Sequence, residues 1–199
     1  MKRIFDLVFS LIGLLLLGPL FLIVAVLIKR EDGGPVFYRG ERVGRCGIPF
    51  KIFKFRTMLV NADKIGASST AEDDPRVTRV GKILRKYKLD ELPQLINVLK
   101  GDMSFVGPRP QVRWAVDLYT DEEKKWLLNL RPGITDYASI KFHNEAQILK
   151  GSLNPDRDYM EKIHPEKMRL SIEYAKNVSL KMDFIILIKT LSLFFKREG

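Results

Sequence analysis

The hydrophobic positions of this chain follow three different rhythms. From Leu7 to Ile28 the sequence "LVFSLIGLLLLGPLFLIVAVLI" carries no charge. A straight helix of that length measures about 33 Å, close to the roughly 30 Å of a hydrocarbon core. The run is too long for the apolar part of a signal peptide, and no small-x-small cleavage site precedes "KREDGG". Gly18-Pro19 interrupts it, and a proline inside a helix deletes a hydrogen bond and kinks the rod. Two geometries stay open: a single span, and a re-entrant hairpin over residues 1–30 broken at Gly18 and Pro19. Lys2 and Arg3 precede the run and Lys29 and Arg30 follow it. Flanking charge therefore favours no orientation, and a re-entrant path returns both basic ends to one side.

Over 35–58, "PVFYRGERVGRCGIPFKIFKFRTM" alternates apolar and basic positions, with Gly40, Gly44 and Gly47 at turns. This reads as one or two short strands or a hairpin, with Lys54 and Arg56 on one face. Residues 59–75 carry no packing pattern and read as a loop. A helical period then appears in the basic segment "RVTRVGKILRKYKL". It recurs in Leu92, Leu95, Ile96 and Leu99, a second helix stopping at Lys100-Gly101. The tail "LKMDFIILIKTLSLFFKREG" reads as a helix over about 180–197. Lys181, Lys189, Ser192 and Lys196 fall within about 80° of arc, and Phe184, Ile185, Ile188, Leu191 and Phe195 fill the rest. A core helix and a helix in the headgroup plane share that pattern, and the apolar N-terminal run favours the interface. Asp183 lies across from the lysines, where a lone carboxylate needs a cationic partner. The fold class is α+β, mostly helical. It comprises a broken membrane helix over 1–30, a small β-hairpin, interfacial amphipathic helices and a single compact catalytic domain over 31–199.

A formal net charge of +10 points to anionic partners, phosphates or an acidic membrane surface. No nucleic-acid motif accompanies it, and the apolar ends argue against nucleic acid. The single cysteine, Cys46, excludes an internal disulfide and suits a reducing compartment. Two histidines and one cysteine cannot assemble a zinc site of the usual kind, so any metal would be a hard cation such as Mg2+.

Against that positive background, "KYKLDELPQLINVLKGDMSFVGPRP" over 86–110 sets Asp90 and Glu91 side by side. Pro93 is tolerated only in a first turn, which places the pair at the N-cap and first position of the second helix. Carboxylates there can simply cap the helix. Their neighbours suggest more. Arg85, Lys86 and Lys88 come just before, and Arg109 is presented stiffly between Pro108 and Pro110. A stiff guanidinium suits bidentate contact with phosphate, and a helix N-terminus is itself an anion site. The combination describes phosphoryl chemistry, with Asp90 as a nucleophile, as a ligand of Mg2+, or both.

"KFRTM", the 86–110 motif, "RPGIT" and "YAKNVSLKMDFIIL", behind an apolar helix broken at proline, resemble the bacterial sugar transferases. These are small monotopic phosphoglycosyl transferases, and the resemblance covers essentially the whole chain. It implies transfer of a sugar phosphate from a UDP-sugar to undecaprenyl phosphate with release of UMP. It further implies Mg2+ near Asp90, surrounding membrane lipids, and the cytoplasmic face of the bacterial inner membrane. By this resemblance Asp90 is the nucleophile that carries a covalent phosphosugar, and Glu91 assists as base or by positioning. Lys54, Arg85 and Arg109 match phosphate-handling positions. Arg56, Lys141, His143 and Asp183 are candidates for substrate or structural roles. The chain departs from the pattern in having Gly18 where Ser commonly precedes the proline. It also carries "DYASIKFHN" after "RPGIT", with His143 at an arginine position and Lys141 as the nearby cation. The sugar is not legible, and a homodimer is left open. The competing class is a non-enzymatic membrane adaptor holding anionic lipid or a partner protein.

Overall fold

The computed structural model describes residues 1–62 and 70–195. It is mostly helical with a few two-stranded ladders. The apolar run forms α1, Lys2–Asp32, and the chain stays helical through Gly18 and Pro19. α1 is long and apolar enough to cross a membrane, yet both of its ends are held by the rest of the chain. Near the start, Asp6 is buried and accepts from the Ser104 hydroxyl and the Phe105 N–H, both at 3.1 Å. Arg3 donates to the carbonyls of Val98 and Leu99 at 2.6 and 2.9 Å. Near the other end, Val24 and Ile28 pack with Phe55 and Leu84. Between these anchors the helix exposes a broad apolar face, with Leu15, Leu16 and Leu22 each more than 70 % accessible. An uncovered apolar surface of this extent marks a membrane or protein interaction face. The helix ends at Gly33, whose φ of 72° lets its N–H reach back to the Lys29 carbonyl.

The alternating segment folds as two antiparallel ladders. β1 (Phe37–Tyr38) pairs with β4 (Lys54–Phe55), and β2 (Glu41–Val43) pairs with β3 (Pro49–Lys51). The reverse turn between β2 and β3 is a short 3-10 stretch, Arg45–Gly47, in which Cys46 takes a φ of 58°. The basic segment then forms α2 (Arg79–Lys86), capped by the Thr78 hydroxyl on the Gly81 N–H. α3 (Gln94–Lys100) follows and stops at Gly101 with φ 94°.

α3 buries a different face from the one that its leucine repeat predicts. Gln94, Leu95, Asn97 and Val98 go inside, while Leu92, Ile96 and Leu99 are half-buried. Asn97 explains the rotation. Its Oδ1 accepts from the Phe53 N–H at 2.8 Å and its Nδ2 donates to the Lys51 carbonyl at 2.9 Å, tying α3 to the ladders. A buried amide with both ends bonded is as good a core residue as a leucine.

A parallel pair, β5 (Ser104–Val106) and β6 (Gly133–Thr135), was not legible in the sequence. Each strand has three residues, too few to show alternation, and parallel partners lie far apart in the chain. The pair depends on glycine: a Cβ on Gly133 would lie 2.1 Å from the Gly107 nitrogen. Helices α4 (Arg113–Asp117), α5 (Asp121–Leu127), α6 (Tyr137–Lys141), α7 (Glu145–Ile148), α8 (Pro155–Lys162) and α9 (His164–Lys176) complete the body.

The tail helix α10 (Leu180–Phe195) docks Ile186 against Val106 and Tyr174. Asp183 is buried and meets the cation that the sequence called for, Lys2 of α1, along with the Tyr174 hydroxyl at 2.7 Å. Lys181, Lys189 and Ser192 are exposed, as are Phe184, Ile185, Ile188 and Leu191. The helix thus has a docked face, a lysine stripe and an uncovered apolar strip. The side chain of Phe195 and all of Lys196 lie outside the described residues, as does much of the 59–75 loop.

Candidate active site

Lys88, with φ 54°, reverses the chain after α2 and starts a single 3-10 turn over Leu89–Glu91. This corrects the expected placement of the acidic pair. Asp90 and Glu91 sit on a turn ahead of α3, and Pro93 itself is the cap residue. A 3-10 turn spaces successive side chains about 120° apart, so adjacent acids face different surroundings.

Glu91 is the ion-paired member. Its carboxylate accepts from Lys54 Nζ at 2.9 Å and from Arg109 through both terminal nitrogens, one at 3.0 Å. Arg109 also reaches the Ile134 carbonyl. Burial pushes the Glu91 carboxyl up, but the charges of Arg109 and Lys54 prevail and hold it well below the usual range. The Glu91 charge in turn raises Arg109. Two of the three residues expected to handle substrate phosphate are therefore already engaged with Glu91.

Asp90 accepts no hydrogen bond and makes no ion pair among the described residues. It is 9 % exposed, covered but not sealed. Burial raises its pKa above the ordinary aspartate value, and the neighbouring Glu91 charge adds to that rise. Lys54, Arg85 and Lys88 oppose it. Without a further cation, then, this carboxylate is harder to ionise than the sequence suggests.

Arg85 is the third expected cation. Its Nε donates to the Thr57 hydroxyl at 2.9 Å. Its terminal NH2 groups make no hydrogen bond among the described residues. Burial lowers its pKa and the Asp90 charge resists that, a sign that the two face one another electrostatically. Of the three basic residues, Arg85 is the one that no carboxylate engages, with both terminal NH2 groups unbonded among the described residues.

The remaining candidates go elsewhere. Arg56 donates Nε to the Pro35 carbonyl at 2.7 Å and one terminal nitrogen to Asp32 at 2.6 Å, a structural clamp on the end of α1. Lys141 pairs with Glu166 at 2.6 Å on an exposed surface, and His143 Nδ1 lies 3.2 Å from the Ile140 carbonyl. The bonds of Glu91 go to Lys54 and Arg109, not to Lys141 or His143. Asp183 is the α1–α10 tie described above.

Two residues near the site, Thr57 and Gln94, escaped the sequence reading. Thr57 orients Arg85, and Lys88, one of the basic neighbours already noted, adds positive charge beside Asp90. Gln94, one turn after Asp90, buries a side-chain amide with neither atom hydrogen-bonded among the described residues. Thr57 and Gln94 lie inside the "KFRTM" and 86–110 motifs, so their positions were marked although their partners were not.

Among the described residues no group of three His, Cys, Asp or Glu side chains gathers to hold a metal. A cavity of about 40 Å3 lies beside Arg109, bordered by Tyr119, Asp136, His164 and Lys167. A larger one of about 210 Å3 lies by the start of α1. Asp90 lines neither.

One acid held ionised by two cations and a second without a partner among the described residues, beside a half-buried guanidinium, form a candidate site for phosphorus-containing groups. Comparison with known proteins gives that class a lineage. The family model described as bacterial sugar transferase matches residues 1–197. The exopolysaccharide production protein ExoY of Sinorhizobium fredii is 37 % identical over 205 residues, covering 96 % of this chain and 83 % of that protein. The UDP-N-acetylgalactosamine-undecaprenyl-phosphate N-acetylgalactosaminephosphotransferase of Aeromonas hydrophila is 41 % identical, covering 96 % of this chain and 42 % of its own length. The undecaprenyl-phosphate galactose phosphotransferase of Salmonella typhimurium is 36 % identical, covering the whole chain and 41 % of that enzyme. This chain spans less than half the length of the latter two. It belongs to the bacterial sugar transferase family and is a transferase of phosphorus-containing groups.

Proposed function

We propose that this chain moves a sugar 1-phosphate from a UDP-sugar to undecaprenyl phosphate, releasing UMP, in two displacements at Asp90. In the first, an Asp90 oxygen attacks the β-phosphorus. The bond from that phosphorus to the bridging oxygen breaks, and UMP leaves with the electron pair. In the second, an oxygen of undecaprenyl phosphate attacks the same phosphorus and returns Asp90 as a carboxylate. A covalent intermediate lets one shallow site serve a soluble donor and a lipid acceptor in turn.

The observation that carries the reading is the division of labour within the acidic pair. Asp90 has no hydrogen-bond or ion-pair partner among the described residues, which leaves its oxygens free to attack. Glu91 has both oxygens engaged and a strongly lowered pKa, which makes it a poor base and a good scaffold. It acts by holding Lys54 and Arg109 beside the reacting phosphorus. Arg85, with donors to spare, is placed to neutralise phosphate oxygens.

Mg2+ suits this donor set, because it commonly binds through one or two carboxylates and completes its shell with water and substrate phosphate. Asp90 is the carboxylate that would hold it. When bound, the ion supplies positive charge to the diphosphate and offsets the upward push on Asp90.

We further propose a monotopic arrangement at the cytoplasmic face of the bacterial inner membrane. The anchoring of both ends of α1 to one body, through Asp6 and Arg3 and through Val24 and Ile28, supports it. A helix crossing the bilayer would carry its ends to opposite sides.

The test is turnover with a panel of UDP-sugars, Mg2+ and undecaprenyl phosphate, following UMP, with covalent capture of label from a donor phosphorylated with 32P at the β-position. Asp90→Asn is expected to lower turnover by about a thousandfold or more and to abolish capture. Retention of both would leave the adaptor reading in its place.

A further inference from the structure

The cavity of about 210 Å3 lies apart from the acidic pair, between the first turn of α1, the β2–β3 turn and the chain entering β6. A single water needs about 10–15 Å3, so the space admits a polyatomic group rather than one ion. Four cationic side chains line it: Lys2, Arg3, Arg45 and Arg131. Lys2 is neutralised by Asp183. The arginines are not. Among the described residues no carboxylate lies within ion-pair distance of Arg3, Arg45 or Arg131. Each is aimed by bonds to backbone carbonyls: Arg3 on Val98 and Leu99, Arg45 on Asn129 at 3.0 Å, Arg131 on Gly101 at 2.9 Å.

A guanidinium has five donors, so these bonds orient the three groups and leave most of their hydrogens unspent. The one acid in the lining, Asp6, uses its Oδ1 on Ser104 and Phe105. Three uncompensated guanidinium groups converging on one roomy space make an oxyanion receptor, and planar forks of this kind match phosphate oxygens.

The surroundings say where that phosphate comes from. The residues that line the cavity adjoin two uncovered apolar strips along the chain, Lys2, Arg3 and Asp6 on α1 and Val178 just before α10. Ile4, Leu7, Val8 and Leu11 are exposed on α1 just beyond Arg3, and Phe184, Ile185 and Ile188 on α10 just beyond Asp183. Phe5 stacks edge-on against Phe184 and Phe105, joining the strips. A group held in the cavity thus has apolar surface next to it on which acyl chains can lie. We propose that Arg3, Arg45 and Arg131 form a binding site for the phosphodiester headgroup of an anionic phospholipid, separate from the site of sugar phosphate transfer.

The proposal is independent of the catalytic reading and is tested by binding rather than turnover. The full chain in a neutral detergent is titrated with dihexanoyl phosphatidylglycerol below its micelle concentration, and in parallel with dihexanoyl phosphatidylcholine and with inorganic phosphate. Binding is read by calorimetry and by the shift in thermal midpoint. Phosphatidylglycerol is expected to bind at least about tenfold more tightly than either comparator. Arg45→Gln with Arg131→Gln is expected to remove that preference, and Arg131→Lys to keep most of it. Arg45 is exposed and its side chain bonds one carbonyl, so Arg45→Gln alone gives an answer if the double variant fails to fold. Equal affinity for the two lipids, or wild-type affinity in Arg45→Gln and in the double variant, overturns the site. Inorganic phosphate binding as tightly as phosphatidylglycerol overturns the assignment to lipid.

Discussion

Asp90 and Glu91 are neighbours in sequence and opposites in electrostatics. The difference comes from partners that the chain delivers from a distance: Lys54, 37 positions earlier, and Arg109, 18 positions later. Local sequence showed the pair and its basic setting but not which acid would be claimed, because pairing across such separations is decided by how β4 and the 107–110 segment pack. The consequence is measurable. Attack requires Asp90 ionised, and its pKa is raised by burial and by the Glu91 charge. The acidic limb of kcat/KM should therefore lie above the ordinary aspartate value at low Mg2+. Glu91→Gln removes the adjacent negative charge and frees Lys54 and Arg109 to stabilise Asp90. Its maximal rate should fall as positioning is lost, while the acidic limb moves to lower pH. A limb that stays put or moves up would show that Glu91 does not act on Asp90 in this way.

The elements read most easily were those with long periodic patterns, α1, α2 and α10, with the strand-and-glycine pattern of the 35–58 ladders. The β5–β6 pair carried no such signal, and its requirement is steric. Gly133→Ala is expected to lower stability by about 1–3 kcal/mol or more, since its Cβ would meet backbone rather than a side chain that can turn aside. Gly18→Ala, in α1 with nothing within 4 Å of its Cβ position, should be neutral or stabilising by about 0.5–1 kcal/mol. Chemical denaturation of both variants in the same detergent makes the comparison. The end of α1 supplies a pH test. Hydrogen bonds from Arg56 lower the Asp32 pKa to about 2. A depressed carboxyl contributes stability above its unfolded value, near 3.8, and loses it as pH falls toward 2. Asp32→Asn should therefore be less stable than the wild type at pH 6, and the gap should narrow steadily between about pH 4 and pH 2. A gap that does not change over that range would mean that the clamp contributes nothing.

At the scale of the whole molecule, the +10 charge and two uncovered apolar strips fit the proposed seat on an anionic membrane. Topology is open to a direct check. In a Cys46→Ser background, a cysteine inserted after Met1 and a separate Arg30→Cys should both react with an impermeant reagent from the same, cytoplasmic side. Labelling of the two from opposite sides would return α1 to a simple span. The apolar run, the acidic pair, the basic balance and the family motifs were all determined by sequence alone, because composition, short-range periodicity and contiguous motifs are local properties. Tertiary structure decided which carboxylate is paired, that Arg56 clamps a helix end and that Asp183 joins the two ends of the chain. It also left three arginines of separate segments lining one cavity, none of them ion-paired among the described residues. Charges interact through space and their desolvation depends on everything packed around them, so only the folded chain could assign those roles.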